Sequence, residues 1–155
     1  MDGSNGAGAV TVAVGAVLGG SGSLTGTVNV SGQLEAGGAP GRLTTGALTF
    51  SANAFHSLEI GGTVAGTGYD QNTVSSGGIT IGSTVTLSLV AINSFVPTLG
   101  DTFTIVDKVA AGAISGTYNG LAEGALIPNF LGSGLQAQIS YVGGTGNDVV
   151  LTVVP

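Results

Sequence analysis

Residues 27–50 read Thr27-Val-Asn-Val30-Ser-Gly-Gln-Leu34-Glu-Ala-Gly-Gly-Ala-Pro40-Gly-Arg-Leu43-Thr-Thr-Gly-Ala-Leu48-Thr-Phe50. Val28-Asn29-Val30 and Leu48-Thr49-Phe50 alternate apolar, polar, apolar, which is the period of a half-buried strand. Between them stand two more apolar steps, Gln33-Leu34 and Leu43-Thr44, each set off by glycine. The same order precedes this stretch as Val12-Ala13-Val14, Val17-Leu18 and Leu24-Thr25, and it resumes after it at Leu58-Glu59-Ile60. Val12, Val28 and Leu48, which head the three triples, are 16 and then 20 residues apart. That interval holds a few short strands joined by glycine turns, the content of one β-solenoid rung. Rungs stacked in parallel set each strand about 4.8 Å above its equivalent, so inward Val and Leu form ladders. Val28, Val30, Leu34, Leu43, Leu48 and Leu58 are the expected inward set.

Strand signals continue to the end of the chain. Val10–Val14, Ala47–Phe50, Ser57–Ile60, Ile79–Ile81, Val85–Leu89, Thr102–Val106, Gln136–Tyr141 and Asp148–Val154 are the candidates. No 3.6-residue apolar stripe lasts three turns, so helix is not expected. The repeat weakens after about residue 66, where Pro97, Pro128 and Pro155 also fall. Gln136 to Val154 reads as an antiparallel hairpin about the turn 143–147. Such a hairpin would cover the open core of a last rung. The expectation is therefore all-β: a right-handed parallel β-helix of three to five irregular rungs with a C-terminal antiparallel cap hairpin. It forms a single domain, 1–155, with solenoid rungs over 1–66 and terminal rungs plus capping strands over 67–155. A sandwich with turns every 8–12 residues produces a similar pattern.

Composition narrows function. Of 155 residues 30 are Gly, and eight acids against two bases give a net charge of −6. Arg42 and Lys108 alone cannot track phosphates, which excludes nucleic acid as a partner and a polybasic membrane surface with it. No run reaches the ~18 apolar residues of a spanning helix. The absence of Cys removes disulfides, thiolate metal sites and thiol nucleophiles. A mean hydropathy of +0.54 is enough to build a core. The opening Met1-Asp2-Gly3-Ser4-Asn5-Gly6 lacks a basic region followed by an apolar stretch, so the chain is read as a mature form or an excised fragment.

The stretch Leu34 to Phe50 resembles the L-x-P-G-x-S-P-G-x-L-T-x-G-x-L-T segment of bacterial autotransporter-type surface proteins, those with autotransporter-associated β-strand repeats. Leu58-Glu-Ile-Gly-Gly, Ala65-Gly-Thr-Gly-Tyr-Asp-Gln71, Leu99-Gly-Asp-Thr-Phe-Thr-Ile105, Gly116 to Gly124 and Ile139 to Thr152 continue the likeness in order over nearly the whole chain. The resemblance implies the C-terminal end of a passenger: the last β-helix rungs and a cap, on a secreted or surface-displayed stalk or adhesin. Two positions depart from the pattern. Ala36 stands where Pro is usual, and Asn72 where an apolar residue usually follows Tyr-Asp-Gln.

Four constellations bear on chemistry. Gly143-Gly-Thr-Gly-Asn-Asp-Val-Val-Leu151 fits the calcium nonapeptide G-G-x-G-x-D-x-U-x, whose ions need stacked turns. One copy reads as a glycine-rich hairpin turn, with Asp148 the first residue after it, and no metal or other cofactor is expected. His56, the sole histidine, has no nucleophile elbow near it and is read as a surface or rung-edge residue. Glu35, Glu59, Asp70, Asp101, Asp107 and Glu123 invite a glycosidase reading, but sugar grooves bring aromatics and bases, and this chain has no Trp. These acids are read as solvated turn residues. Thr11, Thr25, Thr27, Thr49, Thr80, Thr84 and Thr86 lack the single T-x-T register of an ice-binding face and reflect β-propensity.

The expected function is that of an extracellular structural protein of a bacterial surface, a stalk, adhesin segment or fibre subunit, and not an enzyme. The alternative is a carbohydrate-active enzyme or carbohydrate-binding module on the same solenoid. Glycan or matrix ligands suit an adhesin. Residues Gly6 to Gly20 begin the solenoid without a guard against edge pairing, so this β-edge is expected to be covered by upstream rungs or by a neighbouring subunit added end to end as a filament.

Overall fold

The structure, a computed structural model, describes residues 3–155. Met1 and Asp2, the first residues of the opening discussed above, lie outside the described residues. Strands dominate, and the one helical element among the described residues is a 3-10 turn at Phe130–Gly132.

Four rungs account for most of the chain. The first comprises β2 (Val10–Val12), β3 (Val17–Gly20) and β4 (Ser23–Leu24), and β1 (Ser4–Asn5) lies above it against β4. The second comprises β5 (Val28–Val30), β6 (Gln33–Ala36) and β7 (Arg42–Thr45). The third is β8 (Leu48–Phe50), β9 (Phe55–Ile60) and β10 (Gln71–Val74), and the fourth β11 (Ile79–Ile81), β12 (Thr86–Ala91) and β13 (Thr102–Lys108). Equivalent strands stack in parallel. Sheet II runs β2-β5-β8-β11, sheet III runs β3-β6-β9-β12, and sheet I begins β1-β4-β7-β10-β13. The result is all-β and β-solenoid-like.

Sheet I does not stop at β13. The strand β16 (Asp148–Val154) joins it antiparallel, followed by β15 (Gln136–Gly143) and β14 (Leu126–Ile127), also antiparallel. The expected hairpin therefore extends one sheet beyond the last rung and adds Ala137, Ile139, Tyr141, Val149, Leu151 and Val153 to the buried core.

Ladders of inward residues hold the stack. Val28 lies opposite Leu48 and Leu48 opposite Ile79, and Val30, Phe50 and Ile81 form the neighbouring column. Leu24, Thr45, Val74 and Lys108 form another in sheet I. All six residues expected to point inward are at most 1% exposed. Corners need glycine where one rung's backbone touches the next. A Cβ on Gly46 would stand 2.6 Å from the carbonyls of Thr25 and Gly26.

Two details depart from the sequence reading. Val10, not Val12, lies opposite Val28, and Val14 is 84% exposed rather than part of a strand. Parallel pairing also persists to Lys108, although the sequence repeat fades near residue 66. The third rung is longer because 61–70 form a loop between β9 and β10, closed by Gly61 N–H donating to Gly68 O at 2.7 Å.

Leu48 is fully buried in mid-ladder. Leu48→Ala is expected to lower the unfolding free energy by about 2–5 kcal/mol, read from urea denaturation; a loss under about half a kcal/mol would contradict this register.

Candidate functional site

Polar groups inside the solenoid mark the chemistry-bearing positions. In β9 the side chains of His56, Leu58 and Ile60 share one face, and all three are buried. His56 stands in the ladder between Leu34 and Leu87. Asn72 occupies the adjacent sheet's ladder between Leu43 and Val106, where each neighbour is apolar. The two meet across the core, with Nε2 of His56 2.6 Å from Oδ1 of Asn72. On the other side Nδ1 lies 2.7 Å from the hydroxyl of Tyr118. An amide oxygen can only accept, so this arrangement puts the imidazole proton on Nε2 and leaves Nδ1 to accept from Tyr118.

The network continues into the cap. The backbone N–H of Tyr118 donates to the hydroxyl of Tyr141 at 3.0 Å, and that hydroxyl donates to Leu121 O at 2.6 Å. Glu123 accepts from the N–H of Tyr141 at 2.6 Å. Rings of Phe50, His56, Tyr118 and Tyr141 pack in sequence, with centroids 5.1, 5.9 and 6.0 Å apart. Burial lowers the His56 pKa to about 4 against the partial support of Asn72, so the ring is neutral. Burial likewise raises Tyr118 well above its usual range. With both nitrogens engaged and no exposure, His56 fastens the third rung to the cap. This corrects the expectation of a surface or rung-edge histidine: its parity with Leu58 and Ile60 carried the signal.

Asp70 also departs from a solvated turn residue. It is 1% exposed and accepts from Gly41 N–H at 2.7 Å and Glu59 N–H at 2.8 Å. It thereby ties the 37–41 turn to β9, and a Cβ at Gly37, whose φ is +87°, would strike the carboxylate. Burial raises its pKa to about 6, with Glu59 and Glu35 adding like charge, and outweighs the two backbone donors. Other acids serve as local fasteners. Asp101 accepts from Thr98 N–H at 2.8 Å, while Glu35, Glu59 and Asp107 are half-buried on the outer surface.

The 143–151 segment holds the turn 144–147 between β15 and β16 and the start of β16. The Asp148 carboxylate accepts from Lys108 N–H at 2.8 Å and from Thr145 N–H at 3.0 Å. Asn147 donates to Ala110 O at 2.8 Å, and the buried Lys108 ammonium donates to Ala110 O and Ala111 O. These side chains latch the 109–112 loop to the cap. Among the described residues no three His, Cys, Asp or Glu side chains cluster in a way that could hold a metal ion. Nothing in the sequence distinguishes Lys108 and Asn147 from surface residues.

Of the threonines, Thr11, Thr49 and Thr80 stand in one outward column of sheet II, with Asn29 in the second place. The column is one residue wide. A shallow groove of about 190 Å³ runs along the corner between sheets II and III, with Val14, Val17, Gln33, Asn53 and Phe55 in its walls. No described helix is long and apolar enough to cross a membrane. No protein family, curated protein or solved structure matches the chain.

Two outcomes follow. Between pH 6.5 and 4 an unfolded His56 binds a proton that the folded one does not, so its share of stability falls as pH falls. Between about pH 6 and 4 a folded Asp70 holds a proton that the unfolded one has lost, so its share rises as pH falls. The two oppose each other. The urea midpoint of the native chain is therefore expected to change little from pH 6 to 4, while Asp70→Asn should fall steadily over that range; coinciding profiles would contradict the assignment. Thermal melting in excess chelator is expected to superimpose on melting in calcium, and a shift of about ten degrees would reveal an ion.

Proposed function

We propose that the chain is an extracellular structural module of a bacterial surface: a right-handed parallel β-helix ending in an antiparallel cap, acting as stalk, adhesin segment or fibre subunit without catalytic activity. The observation that carries this reading is the stack itself. Four rungs of uninterrupted parallel ladder lead to an end covered by β14, β15 and β16. Such a stack suits transmission of length rather than enclosure of a substrate. The fastened acids support the same reading, because Asp70, Asp101, Glu123 and Asp148 spend their oxygens on backbone N–H groups. The order of motifs from Leu34 to Thr152 supports placement at the C-terminal end of an autotransporter-type passenger. In that setting the outward polar columns and the corner groove face glycan or matrix ligands.

The test has two arms. The intact chain, placed between an export leader and an outer-membrane translocator, is expected to reach the surface of a Gram-negative cell folded and resistant to added protease. Incubated with a panel of polysaccharides, it is expected to release no sugar. Turnover lost in Asp70→Asn or Glu59→Gln would instead establish the carbohydrate-active alternative.

A further inference from the structure

We propose that Lys108 and Asn147 join covalently: the lysine amine displaces the amide nitrogen of the asparagine side chain, leaving an isopeptide bond between the fourth rung and the cap. The proposal concerns the chain's own chemistry and does not depend on the surface role above.

Three observations carry it. The first is a buried amine without an anion. Lys108 ends the inward column of Leu24, Thr45 and Val74 in sheet I and is 1% exposed. Its Nζ donates to Ala110 O and Ala111 O, and it forms no ion pair with any carboxylate among the described residues. Three N–H donors thus share two carbonyl acceptors. Holding an ammonium in such a place is costly, and conversion to a neutral amide removes the cost. A lysine nitrogen that has shed a proton is also a nucleophile.

The second is a carbonyl carbon beside it. Asn147, in the turn 144–147, is 9% exposed. Its Nδ2 donates to Gly112 O at 3.3 Å and to Ala110 O at 2.8 Å, the same oxygen that Lys108 Nζ holds. Two donors on one carbonyl oxygen bring the two nitrogens within roughly 5 Å of each other. The lysine stem is flexible, and rotation about its last bonds carries Nζ toward Cγ of Asn147. Burial of both side chains keeps water from competing for that carbon.

The third is a hydrogen bond already aimed at the reacting carbonyl. Thr145 Oγ1 donates to Asn147 Oδ1 at 2.8 Å, the oxygen on which negative charge gathers when Cγ is attacked. Asp148 is a positioning residue for both partners: its carboxylate accepts from Thr145 N–H at 3.0 Å and from Lys108 N–H at 2.8 Å. In the step itself the Nζ–Cγ bond forms and the Cγ–Nδ2 bond breaks. Nζ sheds two protons, and both leave on Nδ2 as ammonium. Charge and electrons balance without an oxidant, a reductant or a cofactor.

Arg42 is the one arginine and Lys108 the one lysine, so trypsin reads the bond directly. Digested after unfolding, the native-sequence chain is expected to give a single fragment 43–155, lighter than its sequence by about 17 Da, the mass of ammonia. Fragment spectra should place the link between residues 108 and 147. Lys108→Arg and Asn147→Ala are each expected to have full mass and to be cut after residue 108. Thr145→Val, which keeps the shape but loses the hydroxyl, should leave a larger share of the chain cut there. The native-sequence measurement decides even where a variant fails to fold. Full mass with cleavage after Lys108, a 17 Da loss that leaves that cleavage intact, or a loss of about 18 Da that marks a bond to Asp148 would each overturn the proposal.

Discussion

Parallel stacking makes every rung answerable to the next. A strand three residues long cannot hold itself together; its N–H and C=O groups are satisfied only by equivalents above and below, and its inward side chain is dry only inside a column. Val28, Leu48 and Ile79 illustrate the bargain, as each closes the space left by the one before. Much else in the molecule follows from that dependence. Glycine stands where corners touch, polar side chains face outward along the column from Thr11 to Thr80, and the last rung requires special treatment.

The cap and the internal polar pair are two parts of one treatment. Asn72 and His56 would each leave a buried polar group unsatisfied in a purely apolar ladder. Placed opposite each other and under Tyr118, they supply a directed link that satisfies both ring nitrogens and Asn72 Oδ1, while Asn72 Nδ2 has no partner among the described residues. An apolar core would tolerate the cap at several offsets; this one distinguishes among them. Lys108, Asn147 and Asp148 repeat the principle at the periphery, binding the loop after β13 to the turn of the cap hairpin.

What could be read in advance follows from period two. Ile79–Ile81 and Asp148–Val154 are legible end to end, because alternation there is flanked by clear turns. The first rung slipped by two residues for the same physical reason. Val10, Val12 and Val14 share one parity, so moving the pairing by two leaves every side chain on its proper face, and only the stacking of corners decides. The strand Gln71–Val74 is not legible from alternation because its inward position 72 is polar. Yet Asn72 had stood out as a departure from an apolar pattern, and His56 fell in phase with Leu58 and Ile60. The two irregularities explain each other once both are inside. Asp70 gave no comparable sign, since glycines around a carboxylate describe a solvated turn equally well.

The lengths of the rungs have a mechanical meaning. Hydrogen bonds between rungs point along the stack, so tension drawn along it loads them one ladder at a time, like a zipper, rather than shearing many at once. A stalk of this kind would unspool rung by rung, each releasing roughly 60–70 Å of slack for about twenty residues of extended chain. The third rung, with its 61–70 loop, would release more than its neighbours, and the tie from Asp70 to the 37–41 turn would be the first fastening to feel the pull there. Such a sequence of small yields would dissipate force along the stack.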